Sequence, residues 1–380
     1  MKKVILCAAA FGLAANLFAL RPGDPVVELT DVNWVQAGPF AMLPPAKPQE
    51  NEPPYRATVF LLTRAQTADD TLTLLNYLRR TFAGKVRLAA VTPDSETDVK
   101  ALLARRPDFE LPFGVDTKRE LTPKYLGSSR ILPMAFLADD KGEVIWSGEV
   151  VDLGETLRKC LDGSFDRSAQ RKIAPLLEEL QSQLSGDNET RMRRTVDSIF
   201  RLEPGQPSAL RIRCFVLESG GKAVEALELI QSQIARAPKL PRLYIEALNL
   251  IARNPGLDAR TAPVVAAYCK AVAADPDSDN QIAWLLLNRR EDSADALRSA
   301  LFLVNRAAPL VKPDASGALR GAFLNTRALL GCRLGKMAEA ARLEDEAAEA
   351  FRSAGLPGAE TEAKRRAAYY RTVLELAGAK

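Results

Sequence analysis

RATVFLLTRAQTADDTLTLLNYLRRTF, residues 56–82, changes period in its middle. RATVFLLT (56–63) is an unbroken β-rich apolar run, the pattern of a strand covered on both faces. From about Thr67 the spacing turns helical, with Leu72, Leu75 and Leu78 on one face. The junction between strand and helix is Arg64, Ala65, Gln66, Thr67 and Ala68, and none of these carries a thiol. The polar groups at hand are Arg64, Gln66, Asp69 and Asp70. An acidic pair at a helix start is expected to cap it and to meet its dipole rather than to act as an acid–base couple.

Downstream the two periods keep alternating. KVRLAAVT (85–92) reads as a second buried strand, ended by Pro93-Asp94-Ser95. A helix follows around Val99, Leu102 and Leu103, with Ser95 at its cap and acids in its first turn. LPFGVD (111–116) is a short strand, and LTPKYLG (121–127) a short helix that stops at Gly127. ILPMAFLADDKGEVIWSGEV (131–150) is a hairpin, two apolar runs joined by Asp139-Asp140-Lys141-Gly142. VDLGETLRKCL (151–161) closes the region as a helix. Strands alternating with helices predict an α/β domain over 20–163, a central mixed sheet with helices on both faces. GPFAMLPPAKPQENEPP, spanning the 39–54 insertion, is rich in proline and polar residues and reads as a loop rather than a packed element.

From Ser168 to Lys380 strand signals vanish and Ala, Leu, Arg and Glu recur at helical spacing. GKAVEA (221–226) and GKMAEA (335–340) share the pattern G-K-x-x-E-A. Pro204, Pro238, Pro276 and Pro313 read as helix ends, each followed by a fresh amphipathic run: ALRIRCFVL, RLYIEALNLI, QIAWLLL and ALRGAFLNTRALL. A unit of two antiparallel helices, repeated, accounts for this spacing and predicts an all-α solenoid over 168–380. The Arg-rich pieces RMRR (191–194) and KRR (364–366) read as solvated helix faces.

The first 19 residues, MKKVILCAAAFGLAANLFA, have Lys2 and Lys3, an apolar run and small residues near the end. That is the layout of a cleavable signal peptide, so an exported protein, periplasmic or secreted, is expected, with no membrane span after cleavage. Without Lys2 and Lys3 the chain has 50 basic and 48 acidic residues, a balance that gives no case for nucleic acid.

Histidine is absent, which excludes Ser-His-Asp and Cys-His nucleophilic sites and His-bearing zinc sites. No cysteine occurs between Ala8 and Lys159, and Cys160, Cys214, Cys269 and Cys332 form no C-x-x-C pair. No metal or other cofactor is expected. The last three sit among apolar helical neighbours and read as core residues, with a structural disulfide as the alternative. Trp34, Trp146 and Trp284 read as core or edge packing.

Residues 21–161 resemble the thioredoxin fold, in particular the secreted thiol–disulfide oxidoreductases of the TlpA and ResA type. The resemblance rests on RPGDPVVELTDVNWVQAGP (21–39), the strand–helix at 59–82, VRLAAVT with its helix, and above all the 131–150 hairpin, which looks like that family's D-x-x-G-x-x-x-W-x-G. It implies that Leu132-Pro133 is the cis-proline bordering the active-site groove. It also implies that the redox cysteines should stand at Arg64 and Thr67, or at Ala65 and Ala68 in the neighbouring register. The second half is similar to tetratricopeptide repeats. Disulfide exchange starts with attack by a thiolate, and this chain has none at either pair of positions.

A redox-inactive thioredoxin-like domain joined to a helical-repeat domain points to a non-enzymatic interaction or scaffold protein of the cell envelope with a protein or peptide partner. The alternatives are an oxidoreductase that takes its cysteine from outside the motif, Cys160 being the local candidate, or from a partner, and a carrier that binds a small ligand in the groove.

Overall fold

The computed structural model describes residues 20–43, 57–127, 132–185, 188–289, 293–313 and 315–378. The expected signal peptide, 1–19, and residues 44–54 of the insertion lie outside these. The chain divides into two compact units, 1–209 and 210–380.

The first unit holds a six-stranded sheet ordered β1-β4-β3-β2-β5-β6, with β1 at Asn33–Gln36, β2 at Ala57–Leu62, β3 at Val86–Thr92, β4 at Phe113–Val115, β5 at Met134–Ala138 and β6 at Val144–Glu149. β2, β3 and β4 run parallel; β5 is antiparallel to β2, β6 to β5 and β1 to β4. Helices α1 (Asp69–Thr81), α2 (Glu96–Arg105), α3 (Leu121–Leu126) and α4 (Leu153–Asp162) complete a mixed, thioredoxin-like α/β arrangement.

The unbroken apolar run in β2 has a simple cause. Ala57, Val59 and Leu61 enter one core cluster with Leu72, Leu75 and Leu78 of α1, Val99 and Leu102 of α2, and Leu153 and Leu157 of α4. Phe60 and Leu62 point the other way, into a cluster with Leu121, Tyr125 and Leu126 of α3. Period-2 alternation therefore buries every residue of the strand. Tyr125 stacks near Phe60 and Phe136, with centroids at 4.6 and 4.9 Å, and donates its hydroxyl to the Val27 carbonyl at 2.6 Å. Trp146 belongs to the first cluster, and Trp34 packs against the second.

Two readings of this region need correction. The insertion does not begin as an unpacked loop: Phe40 and Met42 are core residues of the second cluster. Glu28 fixes this stretch by accepting the N–H groups of Met42 at 2.9 Å and Leu43 at 2.8 Å. Asp69 and Asp70 do not occupy the cap position of α1 either. A 3₁₀ turn at Ala65–Thr67 intervenes, Ala68 is the N-cap, and the acidic pair falls in the first turn.

The change of texture at Ser168 marks a change of element type, whereas the compact units part at 209/210. α5 (Arg167–Ser182) packs on β6 and is tied to the β5–β6 hairpin by Arg167–Asp139 and Arg171–Glu143 ion pairs. Lys159 of α4 reaches Glu203, just past α6 (Glu189–Leu202), at 3.1 Å.

From α5 onward the described chain is all helical, eleven α-helices in number. The second unit carries α8 (Ala223–Arg236), α9 (Pro241–Arg253), α10 (Thr261–Ala271), α11 (Pro276–Arg289), α12 (Ala294–Ala307), α13 (Gly317–Arg333), α14 (Met337–Ser353), α15 (Pro357–Gly378) and most of α7 (Pro207–Ser219). The two G-K-x-x-E-A segments adopt the same turn. Gly221 and Gly335 have φ of +74° and +76°, and the lysine N–H that follows bonds the carbonyl five residues back, Leu217 or Gly331, at 2.8 Å in both. This is a Schellman closure, which favours glycine at the left-handed position. Gly355 repeats it between α14 and α15.

α9 packs on α11, α11 on α13, and α10 on α12. Small residues permit the closest approach: a Cβ on Gly321 would stand 2.7 Å from the Phe351 ring. Pro276 does not end a helix as its sequence context suggests; it opens α11, where a missing N–H costs nothing. KRR (364–366) is not a uniformly solvated face, because Arg366 turns inward to the buried Glu344.

Candidate functional site

The register of the sheet brings together the segments singled out in the sequence. Leu62 pairs with Met134, so the chain continuing from β2 lies beside the residues that precede β5. Thr63 and Arg64 thus stand by Pro133 and Leu132, and the Leu132–Pro133 peptide bond is cis. Thr63 donates its N–H to the Val91 carbonyl at 3.0 Å, which prolongs the β2–β3 ladder by one step. Its side chain is buried, and Oγ1 has no hydrogen-bond partner among the described residues.

Beyond Thr63 the chain enters the 3₁₀ turn. Ala65 and Ala68 are buried in the first core cluster, while Arg64 and Gln66 are exposed. The side chains of Thr67, Asp69 and Asp70 are not among those described. One carboxylate organises the junction. Asp94, in the loop after β3, accepts Arg64 Nη1 at 2.8 Å on one oxygen and the Ala65 N–H at 2.7 Å on the other. Burial alone would raise the Asp94 carboxyl; the hydrogen bonds from Arg64, Ala65 and Thr92 outweigh it and hold it below the usual carboxylate range. The next residue, Ser95, caps α2 in a capping box with Asp98.

The arrangement secures the turn. At the end of β2 there is an alanine-lined turn held by a carboxylate that is already satisfied and ionised. A general acid needs a proton to give, and Asp94 has none near neutrality. Nothing in the sequence sets Asp94 apart, and Pro93-Asp94-Ser95 reads there only as the end of a strand. No local signal marks it: its role appears only when the fold brings the loop after β3 beside the Ala65 N–H.

The cysteines are placed away from such work. Cys160 lies on α4 and packs against the first core cluster, where burial pushes its thiol up to about 12. Burial likewise pushes Cys214 up to about 12 and raises Cys269. At neutral pH such thiols are protonated and poor nucleophiles. The four described cysteines are free, so the disulfide alternative is not realised among them. No group of three or more acidic or cysteine side chains among the described residues is placed to hold a metal ion. No described helix is long and apolar enough to cross a membrane.

Three solved structures align with part of this chain. StoA from Bacillus subtilis aligns over 26% of this chain and 81% of its own, at 18% identity and a TM-score of 0.23. A peroxiredoxin-like protein from Aquifex aeolicus aligns over 37% of this chain and 88% of its own, at 14% identity and 0.29. The C-terminal domain of a putative thiol-disulfide oxidoreductase from Bacteroides thetaiotaomicron aligns over 40% and 99%, at 10% identity and 0.27. No protein-family model and no curated protein matches the chain. The α/β class of the first unit rests on its own strand order.

Proposed function

We propose that this is a non-enzymatic interaction protein of the cell envelope: a thioredoxin-like domain without its redox pair, joined to a helical-repeat scaffold that holds a protein or peptide. The observation that carries the reading is the β2–α1 junction. Where exchange chemistry needs a thiolate, the chain places Arg64, Ala65, Gln66, Thr67 and Ala68 and secures the turn through Asp94. In the helical unit, the recurring Gly–Lys turns and the packing of α9, α11 and α13 in succession support a solenoid of tetratricopeptide type. Solenoids offer long continuous surfaces suited to extended chains. The segment 1–19 supports export, which the N-terminus of the native protein, read by mass spectrometry, tests directly; a mature chain beginning at Met1 contradicts it.

Cross-linking the full-length mature protein in its native envelope fraction, with mass-spectrometric identification of cross-linked lysines, tests the scaffold. A recurrent partner cross-linked to α7–α15 is expected. Cross-links confined to the chain itself would count against this function.

A further inference from the structure

Glu344 occupies the middle of α14 and is wholly buried. Its neighbours three and four residues away on the same helical face are Ala340, Ala341, Ala347 and Ala348, all buried as well. Alanine supplies no side-chain donor, and backbone N–H groups in mid-helix are already committed to carbonyls four residues back. A single cation answers the carboxyl. Arg366 of α15 donates through Nε to Oε1 at 2.9 Å, while Oε2 is buried without a hydrogen-bond partner among the described residues. The pair is asymmetric, because Arg366 also has Glu362 at 3.9 Å from Nη1. Arg366 keeps an acidic neighbour if Glu344 is neutral; Glu344 has no second donor among the described residues.

We propose that Glu344 is a proton-operated latch on the α14–α15 seam: protonated, it lets the alanine-rich faces close, and ionised, it loosens the hold of α15 on α14. The warrant is geometric. A carboxylate with half its oxygens unanswered costs far more to bury than a neutral carboxyl. The shift of Glu344 agrees: burial pushes it up to about 7 against the pull of Arg366, with Asp345 adding to the rise. Ionisation would therefore fall within ordinary compartment pH.

The other groups around the carboxyl are few. On α14 Asp345 is paired with Arg371 of α15. From α15 come Arg366, Glu362 and Tyr370, and from α13 comes Cys332, which contacts Tyr370. Burial raises the Tyr370 phenol further above neutrality. All of these remain in place in a Glu344→Gln variant, so comparison with that variant isolates the one carboxyl.

Amide hydrogen exchange across α15 in the full chain, at pH 5 and pH 8 and corrected for intrinsic exchange, reads the latch. The wild type should lose at least about tenfold in protection at the higher pH. Glu344→Gln should be equally protected at both. A wild type without the loss, or a variant that retains it, overturns the proposal. Should the variant fail to fold, a carbon-13 titration of the wild-type carboxyl decides: a midpoint of about 6 to 8 supports the latch, and one near the ordinary glutamate value of 4.5 removes it.

Discussion

Asp139, in the sheet-bearing unit, and Glu344, in the helical one, are both buried carboxylates, yet their surroundings push them in opposite directions. Asp139 sits in the β5–β6 turn. It accepts the N–H groups of Lys141 at 3.0 Å and Glu143 at 2.9 Å, and Arg167 at 2.5 Å. Burial works to raise it, but these donors prevail and hold it below the usual range. Glu344 has one arginine and an orphan oxygen, and burial wins. Asp94 follows Asp139, whereas Asp279 follows Glu344. Burial raises Asp279 even though Tyr268 donates to it at 2.7 Å, and its Oδ2 has no partner among the described residues. Turns leave backbone N–H groups free to answer a carboxylate; the middle of α14 has none to spare, and in the first turn of α11 the N–H groups of Ser278 and Asp279 go to Asp275 instead.

The contrast breaks most visibly at Asp139. Asp139→Ala would strand two backbone donors and Arg167, and should cost about 3 kcal/mol in chemical denaturation at pH 7. A loss near zero would mean that the turn does not depend on its carboxylate. At Glu344 the sign reverses, and Glu344→Gln should stabilise the protein by about 2 kcal/mol at pH 8. The folded state keeps a proton that the unfolded chain surrenders. The stability from Glu344 is therefore complete below its ordinary value of 4.5 and is lost as pH rises through about 7. The gain from the substitution should accordingly vanish near pH 4, and a variant less stable than wild type at pH 8 would erase the distinction between turn and helix.

Asp94→Asn should cost less, about 1 kcal/mol at pH 7, since Arg64 is largely exposed and the amide keeps one acceptor for the Ala65 N–H. Asp94 is depressed, so its contribution is present above the ordinary value of 3.8 and is lost as pH falls through the lower folded one. A pH–stability difference between wild type and variant that does not shrink as pH falls below 3.8 would contradict the assignment. The smallest expected effects are paired. Gly221→Ala and Gly335→Ala should each cost about 1 kcal/mol by thermal or chemical melting, because the strain is of backbone and the space is open at both. Unequal losses would show that the two G-K-x-x-E-A turns are not equivalent.

Much of the sheet-bearing unit is written in period. β2, β3 and the hairpin are continuous apolar runs because the sheet is covered on both faces, and Ser95 and Gly127 mark real helix boundaries. β1 was not legible: NWVQ is four residues long, half of them polar, and at the sheet edge. Phe40 and Met42 were hidden by the prolines around them, although two apolar residues two apart are how a loop dips into a core. In the helical unit the Gly–Lys turns were legible and the role of Pro276 was not, since proline marks a helix start as readily as a stop. The thiol-free junction could be read from Arg64 to Ala68 alone. Its partner Asp94, thirty residues on, could not, because nothing local announces a long-range hydrogen bond. Arg366 hid in a basic run for the same reason.

The claim on which the functional reading rests is that no thiolate reaches the β2–α1 junction. Reduction of insulin by dithiothreitol, with the mature protein or its Cys160→Ser variant present, measures this directly. Both proteins should match the uncatalysed rate. Turnover above that rate by the wild type, abolished in the variant, would contradict the account and make the chain an oxidoreductase that draws its cysteine from α4.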